Sequence, residues 1–127
     1  MKRMLVLLFS CMLYGFLNCN TENQKTTIKL DQPILVLQNL ELGKKTTFLV
    51  HYKNIGQSDF SISTINTECD CYHALWNKNI EIKPDANGEF AIEFTPENTG
   101  KFSNKAVVFG NMKENPIVFT FEGEVIN

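Results

Sequence analysis

From residue 28 onward, apolar side chains recur mostly at every second position of the chain. This alternation predicts β-strands that bury one face, because successive side chains of a strand point to opposite sides of a sheet. Turns that contain Gly or Pro separate the runs at spacings of about 10 to 14 residues, which is typical of a β-sandwich. We therefore predict an all-β sandwich of seven or eight strands over residues 28–127, with an open barrel as the alternative. The apolar residues of the predicted strands are Phe48, Val50 and Tyr52; Phe60, Ile62 and Ile65; Ile80 and Ile82; Phe90, Ile92 and Phe94; Phe102, Ala106 and Val108; and Ile117, Phe119 and Phe121.

An earlier run, residues 34–37, is apolar at every position rather than at alternate positions. Such a run is compatible with a strand that is buried on both sides or with a strand that pairs at the edge of a sheet. Helical periodicity is absent outside the first residues of the chain, so we predict no helix in the domain.

The first 18 residues form a separate, strongly apolar segment. Lys2 and Arg3 give it a basic start, and residues 4–17 are almost wholly apolar. A run of about 14 residues is shorter than the roughly 20-residue helix that crosses a bilayer, but it is typical of a secretory leader. We therefore predict that residues 1–18 are a signal peptide.

Cys19 stands where the apolar leader gives way to polar sequence, and this arrangement resembles a bacterial lipoprotein signal. In such signals the cysteine becomes the lipidated first residue of the mature protein. Cys11 is the alternative processed cysteine, but its use would leave the apolar residues 12–17 exposed. Residues 19–27 are predicted to be a polar tether. The domain would be lipid-anchored to the inner or outer membrane of the cell envelope, facing the periplasm; an ordinary cleaved leader and an uncleaved anchor are the alternatives.

The part of the chain after the leader is acidic. Without Lys2 and Arg3 there are ten basic against fourteen acidic residues, a formal charge of −4, and no arginine remains. Arginine is the preferred side chain for phosphates and for guanine edges. We therefore predict that nucleic acid is not a partner.

Five short segments of the chain form a recognisable pattern. Their order and spacing together are more specific than the sequence of any one segment. They are residues 48–56, 69–71, 82–90, 94–102 and 121–125. Together they resemble the bacterial family called domain of unknown function 1573, which is related to the immunoglobulin-like Hydin and ASPM repeats. The resemblance implies an immunoglobulin-like β-sandwich and, because family members are often secreted lipoproteins, an envelope location. It implies no established biochemical activity.

Cys69, Cys71 and His73 are the candidate chemical site. In an extended strand all three would project from one face, where thiolates and an imidazole suit Zn²⁺ or Cu⁺, although structural zinc takes four ligands and His51 is the only other histidine. A disulfide between the two cysteines is the second hypothesis, and it needs a turn, because two residues of a strand span about 6.6 Å. The third is that both cysteines pack as small apolar side chains near Trp76.

The residue inventory argues against catalysis, since the chain has two histidines and neither a Gly-x-Ser-x-Gly segment nor a glycine-rich phosphate loop. We predict that the protein is not an enzyme and that it is a membrane-tethered binding domain with an envelope protein as partner. The alternative is a thiol-redox or copper- or zinc-handling envelope protein that uses Cys69, Cys71 and His73. No cofactor is expected apart from copper or zinc in that alternative.

Overall fold

The computed structural model describes residues 24–127. The predicted signal peptide of residues 1–18 with Cys11, and residues 19–23 of the predicted tether with Cys19, lie outside the described residues. Within residues 24–127 no helix is long and apolar enough to cross a membrane. The same range contains eight strands: β1 Ile28–Leu30, β2 Ile34–Glu41, β3 Thr46–Asn54, β4 Ile62–Thr67, β5 Tyr72–Leu75, β6 Asn87–Phe94, β7 Gly100–Gly110 and β8 Ile117–Ile126.

The strands form two four-stranded sheets that pack face to face, which confirms the predicted all-β sandwich. Sheet 1 has the order β1-β3-β6-β5, and sheet 2 has the order β2-β8-β7-β4. Neighbouring strands are antiparallel except for β2 and β8, which are parallel. The alternate apolar positions of β3, β6 and β8 fill the space between the sheets, as their period of two predicts.

Aromatic rings join the two sheets across the core. The ring of Phe121 in β8 lies 4.7 Å from the ring of Tyr72 and 5.5 Å from that of Phe48, both of which belong to sheet 1. Phe119 and Phe90 meet edge to face at 5.9 Å. Such ring pairs each contribute about 0.5–1.5 kcal/mol beyond the burial of their area. The phenylalanines therefore fix how the sheets lie against each other.

The structure selects one of the two alternatives for residues 34–37 and corrects one other strand prediction. Ile34 and Val36 are 56% and 59% exposed, so the apolar run in β2 is an edge strand and is not buried on both sides. Ile80 is 52% exposed, and Ile82 makes only an isolated bridge with Phe60, so these two residues do not form the predicted short strand. The outer strand next to β6 in sheet 1 is β5.

The chain enters the sandwich earlier than the sequence predicts. Residues 24–27, which belong to the predicted tether, lie against the domain, and Thr26 is completely buried. The Thr26 N–H donates to the carbonyl of Asn111, and the Lys113 N–H donates to the carbonyl of Thr26, each at 2.9 Å. These bonds hold the N-terminal segment against the loop between β7 and β8.

Asn54, the last residue of β3, is the polar centre of this end of the sandwich. Its side chain is completely buried and forms four hydrogen bonds. Oδ1 accepts from the Thr26 hydroxyl at 2.6 Å and from the Gly56 N–H at 3.1 Å, while Nδ2 donates to the carbonyls of Ser58 and Ile82. A side chain at position 56 would collide with Thr26, which explains the glycine two residues after Asn54.

We predict that Asn54→Ala lowers the free energy of unfolding by roughly 3 kcal/mol, because it leaves several buried donors and acceptors without partners. Asn66→Ala is the matched control: Asn66 is exposed in β4, so its replacement is expected to change stability by at most about 0.5 kcal/mol. Urea unfolding followed by circular dichroism measures both values. Equal stabilities of the two variants would show that the Asn54 bonds contribute nothing.

Candidate functional site

Cys69 and Cys71 are joined by a disulfide on a turn that connects β4 to β5. Their Cα atoms are 5.3 Å apart, and the Tyr72 N–H donates to the Cys69 carbonyl at 3.2 Å, as in a four-residue turn. The stretch is therefore not extended, and the two cysteines and His73 do not project side by side from a strand. Cys69 is exposed, whereas Cys71 packs partly against the core. The two cysteine residues thus differ in their access to solvent.

Several hydrogen bonds shape this turn independently of the disulfide. The Thr95 N–H donates to the Cys71 carbonyl at 3.1 Å, which ties the turn to the end of β6. Oε2 of Glu68 accepts from the Lys105 N–H at 3.0 Å and from the amide nitrogen of Asn104 at 3.1 Å. The turn is consequently fixed to both sheets by bonds that do not involve sulfur.

Tyr72 packs behind the turn. Its ring stacks on Phe94 at 4.4 Å, and its hydroxyl group is hydrogen-bonded to the side chain of Asn104. Burial of the ring raises the pKa of the Tyr72 hydroxyl above its usual value, so the group stays protonated at neutral pH. Tyr72 therefore acts as a neutral support of the turn.

The structure separates the two histidines. His73 lies on β5 opposite Glu93, whereas His51 lies on β3 opposite Glu89, with Nδ1 of His51 3.4 Å from the carboxylate. Their two partners are four residues apart on β6, a distance of about 13 Å at the rise of a strand. Across residues 24–127 the structure contains no group of three or more His, Cys, Asp or Glu side chains placed to hold a metal ion. Copper or zinc would bind the cysteines only after the disulfide is reduced, so binding of either metal stays a prediction.

A second feature, an unpaired edge of β3, is missed by the sequence prediction. β1 covers β3 only from Asn54 to Tyr52, and the last bond on this side is from the Asp31 N–H to the His51 carbonyl at 3.0 Å. The chain then crosses to sheet 2 and becomes β2. Alternate residues of a strand direct their N–H and C=O groups to the same side. The backbone groups of Leu49 and Thr47 therefore point to a side of β3 that no other strand covers among the described residues.

We call this region the open edge and define it by Thr47 and Leu49 of β3 with Ile34 and Val36 of β2. Leu49 is 47% exposed. A shallow depression lies between the two strands and is lined by Asp31, Gln32, Leu35, Leu49, Val50 and His51. On the opposite side of the sandwich the edge strands are β4 and β5, which the disulfide turn joins. The open edge thus combines the free backbone groups of Thr47 and Leu49 with the exposed side chain of Leu49, whereas the exposed side chains of Ile34 and Val36 lie on the outer face of sheet 2.

Comparison with solved structures places this architecture among the PapD-like and immunoglobulin-like sandwich domains. A PapD-like domain of human CEP192 superposes with a TM-score of 0.61 at 12% identity, covering 81% of this chain and 87% of that chain. The Caenorhabditis elegans protein SSP-19, which is similar to MSP domains, gives a TM-score of 0.56 at 11% identity, covering 77% and 98%. At such identities the likeness establishes the fold alone.

The family profile described as "Protein of unknown function (DUF1573)" matches residues 28–125, and the chain belongs to this family. A Porphyromonas gingivalis protein of unknown function is similar in structure, with a TM-score of 0.66 and 17% identity over 82% of this chain. The chain spans about half the length of that protein, namely 49%. No curated protein matches the sequence.

Proposed function

We propose that the protein is a non-catalytic binding domain, tethered to an envelope membrane by lipid on Cys19, that holds an extended segment of an envelope protein at its open edge. The open edge is the observation that carries this proposal. Exposed strand edges are used for recognition by strand addition, in which backbone hydrogen bonds supply affinity and side-chain pockets supply specificity.

Backbone geometry supports binding at Thr47 and Leu49. Each of these residues offers one N–H and one C=O on the same side, so a partner strand would continue the line of β1 along β3. The depression beside Leu35 and Leu49 would accept an apolar side chain of the partner. We therefore propose an extended segment with alternating apolar residues as the ligand.

The composition of the edge strand β2 also supports the open edge as the binding site. Natural edge strands are usually protected by charged residues or by proline. Residues 34–40 of β2 contain no charged residue, and Ile34 and Val36 face solvent. An edge strand whose first residues are uncharged and precede the bulge at residues 37–40 favours a binding surface next to the unpaired part of β3, since a free edge would otherwise promote aggregation.

A second candidate function, thiol exchange, is favoured by the asymmetric disulfide. A partner thiolate would attack the exposed sulfur of Cys69, and Cys71 would leave as a thiolate that takes up a proton. A second thiol of the partner would then attack the mixed disulfide and release Cys69, so that two electrons pass from the partner dithiol to this chain. The Cys71 N–H donates to Sγ of Cys69 at 3.1 Å, which would stabilise the Cys69 thiolate after reduction.

The tether is tested by Cys19→Ala. We expect the wild-type protein to fractionate with membranes and to carry acyl chains on Cys19 by mass spectrometry, because each buried CH₂ contributes about 0.8 kcal/mol to membrane binding. The variant is expected to carry no acyl chains and to be either secreted into the soluble fraction or left unprocessed with its apolar leader attached. Wild-type protein whose Cys19 carries no acyl chains would contradict the lipid anchor.

The open edge is tested by Leu49→Pro. The N–H of Leu49 points away from β6, so proline removes a donor from the free side of β3 and leaves the pairing with β6 intact. A photocrosslinking amino acid at Thr47 is expected to capture a defined envelope protein in cells. The substitution should lower that capture about tenfold, since one lost hydrogen bond costs about 1.4 kcal/mol.

Leu75→Lys is the matched control for exposed apolar surface. Leu75 is 49% exposed on β5, at the edge of sheet 1 that lies opposite the open edge. We expect Leu49→Lys to reduce crosslinking at Thr47 and Leu75→Lys to leave it unchanged. Equal effects of the two substitutions would refute binding at the open edge.

Thiol exchange is tested by equilibrating the protein with mixtures of reduced and oxidised glutathione. We expect the pair to be half reduced within the accessible range of mixtures, because a ring closed over so few residues stabilises the fold by roughly 1.6 kcal/mol or less. Cys71→Ser should retain glutathione on the exposed Cys69, and Cys69→Ser should retain several-fold less on Cys71. A pair that stays oxidised in every mixture would rule out exchange.

A further inference from the structure

The N-terminal segment leaves the sandwich between two loops at one end of the molecule. The Ile55 N–H donates to the carbonyl of Thr27 at 2.9 Å, and the side-chain amide of Asn111 donates to the carbonyl of Gln24 at 3.0 Å. The Ser58 hydroxyl is also hydrogen-bonded to the side chain of Gln24. We call this the proximal end and define it by residues 55–58 and 111–116 with Gln24 between them.

The proximal end lies opposite the disulfide turn. Strand β3 runs from Thr46 to Asn54, so Asn54 marks the proximal end. Thr46 pairs with Phe94 of β6, and Phe94 pairs in turn with Tyr72, which follows the disulfide turn. Eight residues of strand separate the two ends, or about 26 Å.

The length of chain before Gln24 limits how far the proximal end can be from a lipid on Cys19. Five residue steps join Cys19 to Gln24, and a fully extended chain covers at most about 3.6 Å per residue, or roughly 18 Å. This is less than the length of β3. The two loops that flank Gln24 are therefore the parts of the domain nearest to the anchored lipid.

The surface of the proximal end suits a bilayer surface. Ile55 is 49% exposed at the tip of the β3–β4 turn. Lys25 and Lys113 are exposed at this end, and so are the acidic residues Glu114 and Asp85, of which Asp85 donates its N–H to the carbonyl of Asn54 at 2.8 Å. Lys83, which follows the Ile82 segment bonded to Asn54, already forms an ion pair with Asp59 at 2.6 Å. An exposed apolar side chain among charged residues of both signs matches the interface between zwitterionic headgroups and acyl chains.

We propose that the proximal end contacts the headgroup layer of the membrane through Ile55, with the disulfide turn held on the far side. This inference rests on the proposed lipid anchor at Cys19. It commits to phospholipid as the partner of this surface, because the short chain between Cys19 and Gln24 keeps the surface beside the bilayer whatever protein is bound at the open edge.

The test uses single-tryptophan forms of the lipidated protein in phosphatidylglycerol–phosphatidylethanolamine vesicles with nitroxide-labelled headgroups. Trp76→Phe removes the one natural tryptophan. Ile55→Trp then reports the proximal end, and Glu97→Trp reports the exposed turn between β6 and β7 at the opposite end. We expect at least twofold stronger quenching for Ile55→Trp.

Each outcome is decisive because acylation of Cys19 is measured by mass spectrometry on the same samples. Acylated protein with equal quenching at both positions, or with stronger quenching for Glu97→Trp, would overturn the orientation while leaving the anchor in place. Protein without acyl chains would overturn the anchor and the orientation together. Circular dichroism of both variants verifies that each has kept the β-sandwich.

Discussion

The buried side chain of Asn54 is the constraint on which the rest of the structure depends. Four hydrogen bonds from one amide join β3 to the N-terminal segment, to the turn after β3 and to the segment around Ile82. A buried amide is costly unless all its groups are paired, so the positions of these segments are fixed together. Because Thr26 supplies one of the four bonds, the path by which the chain enters the domain is fixed by the same network.

This entry path also explains why one flank of the sandwich stays open. The N-terminal segment docks first at Thr26 and then pairs with β3 for only three residues before it crosses to sheet 2 at Asp31. A longer β1 would have covered Leu49 and Thr47, but the crossing is needed for β2 to pair in parallel with β8. The free backbone groups of β3 therefore follow from the way in which one N-terminal stretch serves both sheets.

The strands with strict alternation were predictable from the sequence, since β3, β6 and β8 have one solvent face and one core face. The strand at Tyr72–Leu75 was not predicted, because it is short and only Tyr72 is fully buried. Ile80 and Ile82 alternate like a strand, yet the bond from Asn54 holds Ile82 in a loop. The unpaired part of β3 carries no local sequence signal, unlike the apolar run of β2, because it depends on where β1 leaves β3, which is set by tertiary pairing.

With the lipid anchor on Cys19, the proximal end would face the membrane, whereas the disulfide turn and the open edge would face the periplasm. Strands of sheet 1 run between the proximal end and the disulfide turn, so their axis would point away from the membrane. A partner strand paired with Thr47 and Leu49 would then extend along this axis, and the Cys69–Cys71 turn would lie about 26 Å from the bilayer side. Binding at the flank and thiol exchange at the far turn are thus sterically compatible, because neither surface is the one that faces lipid.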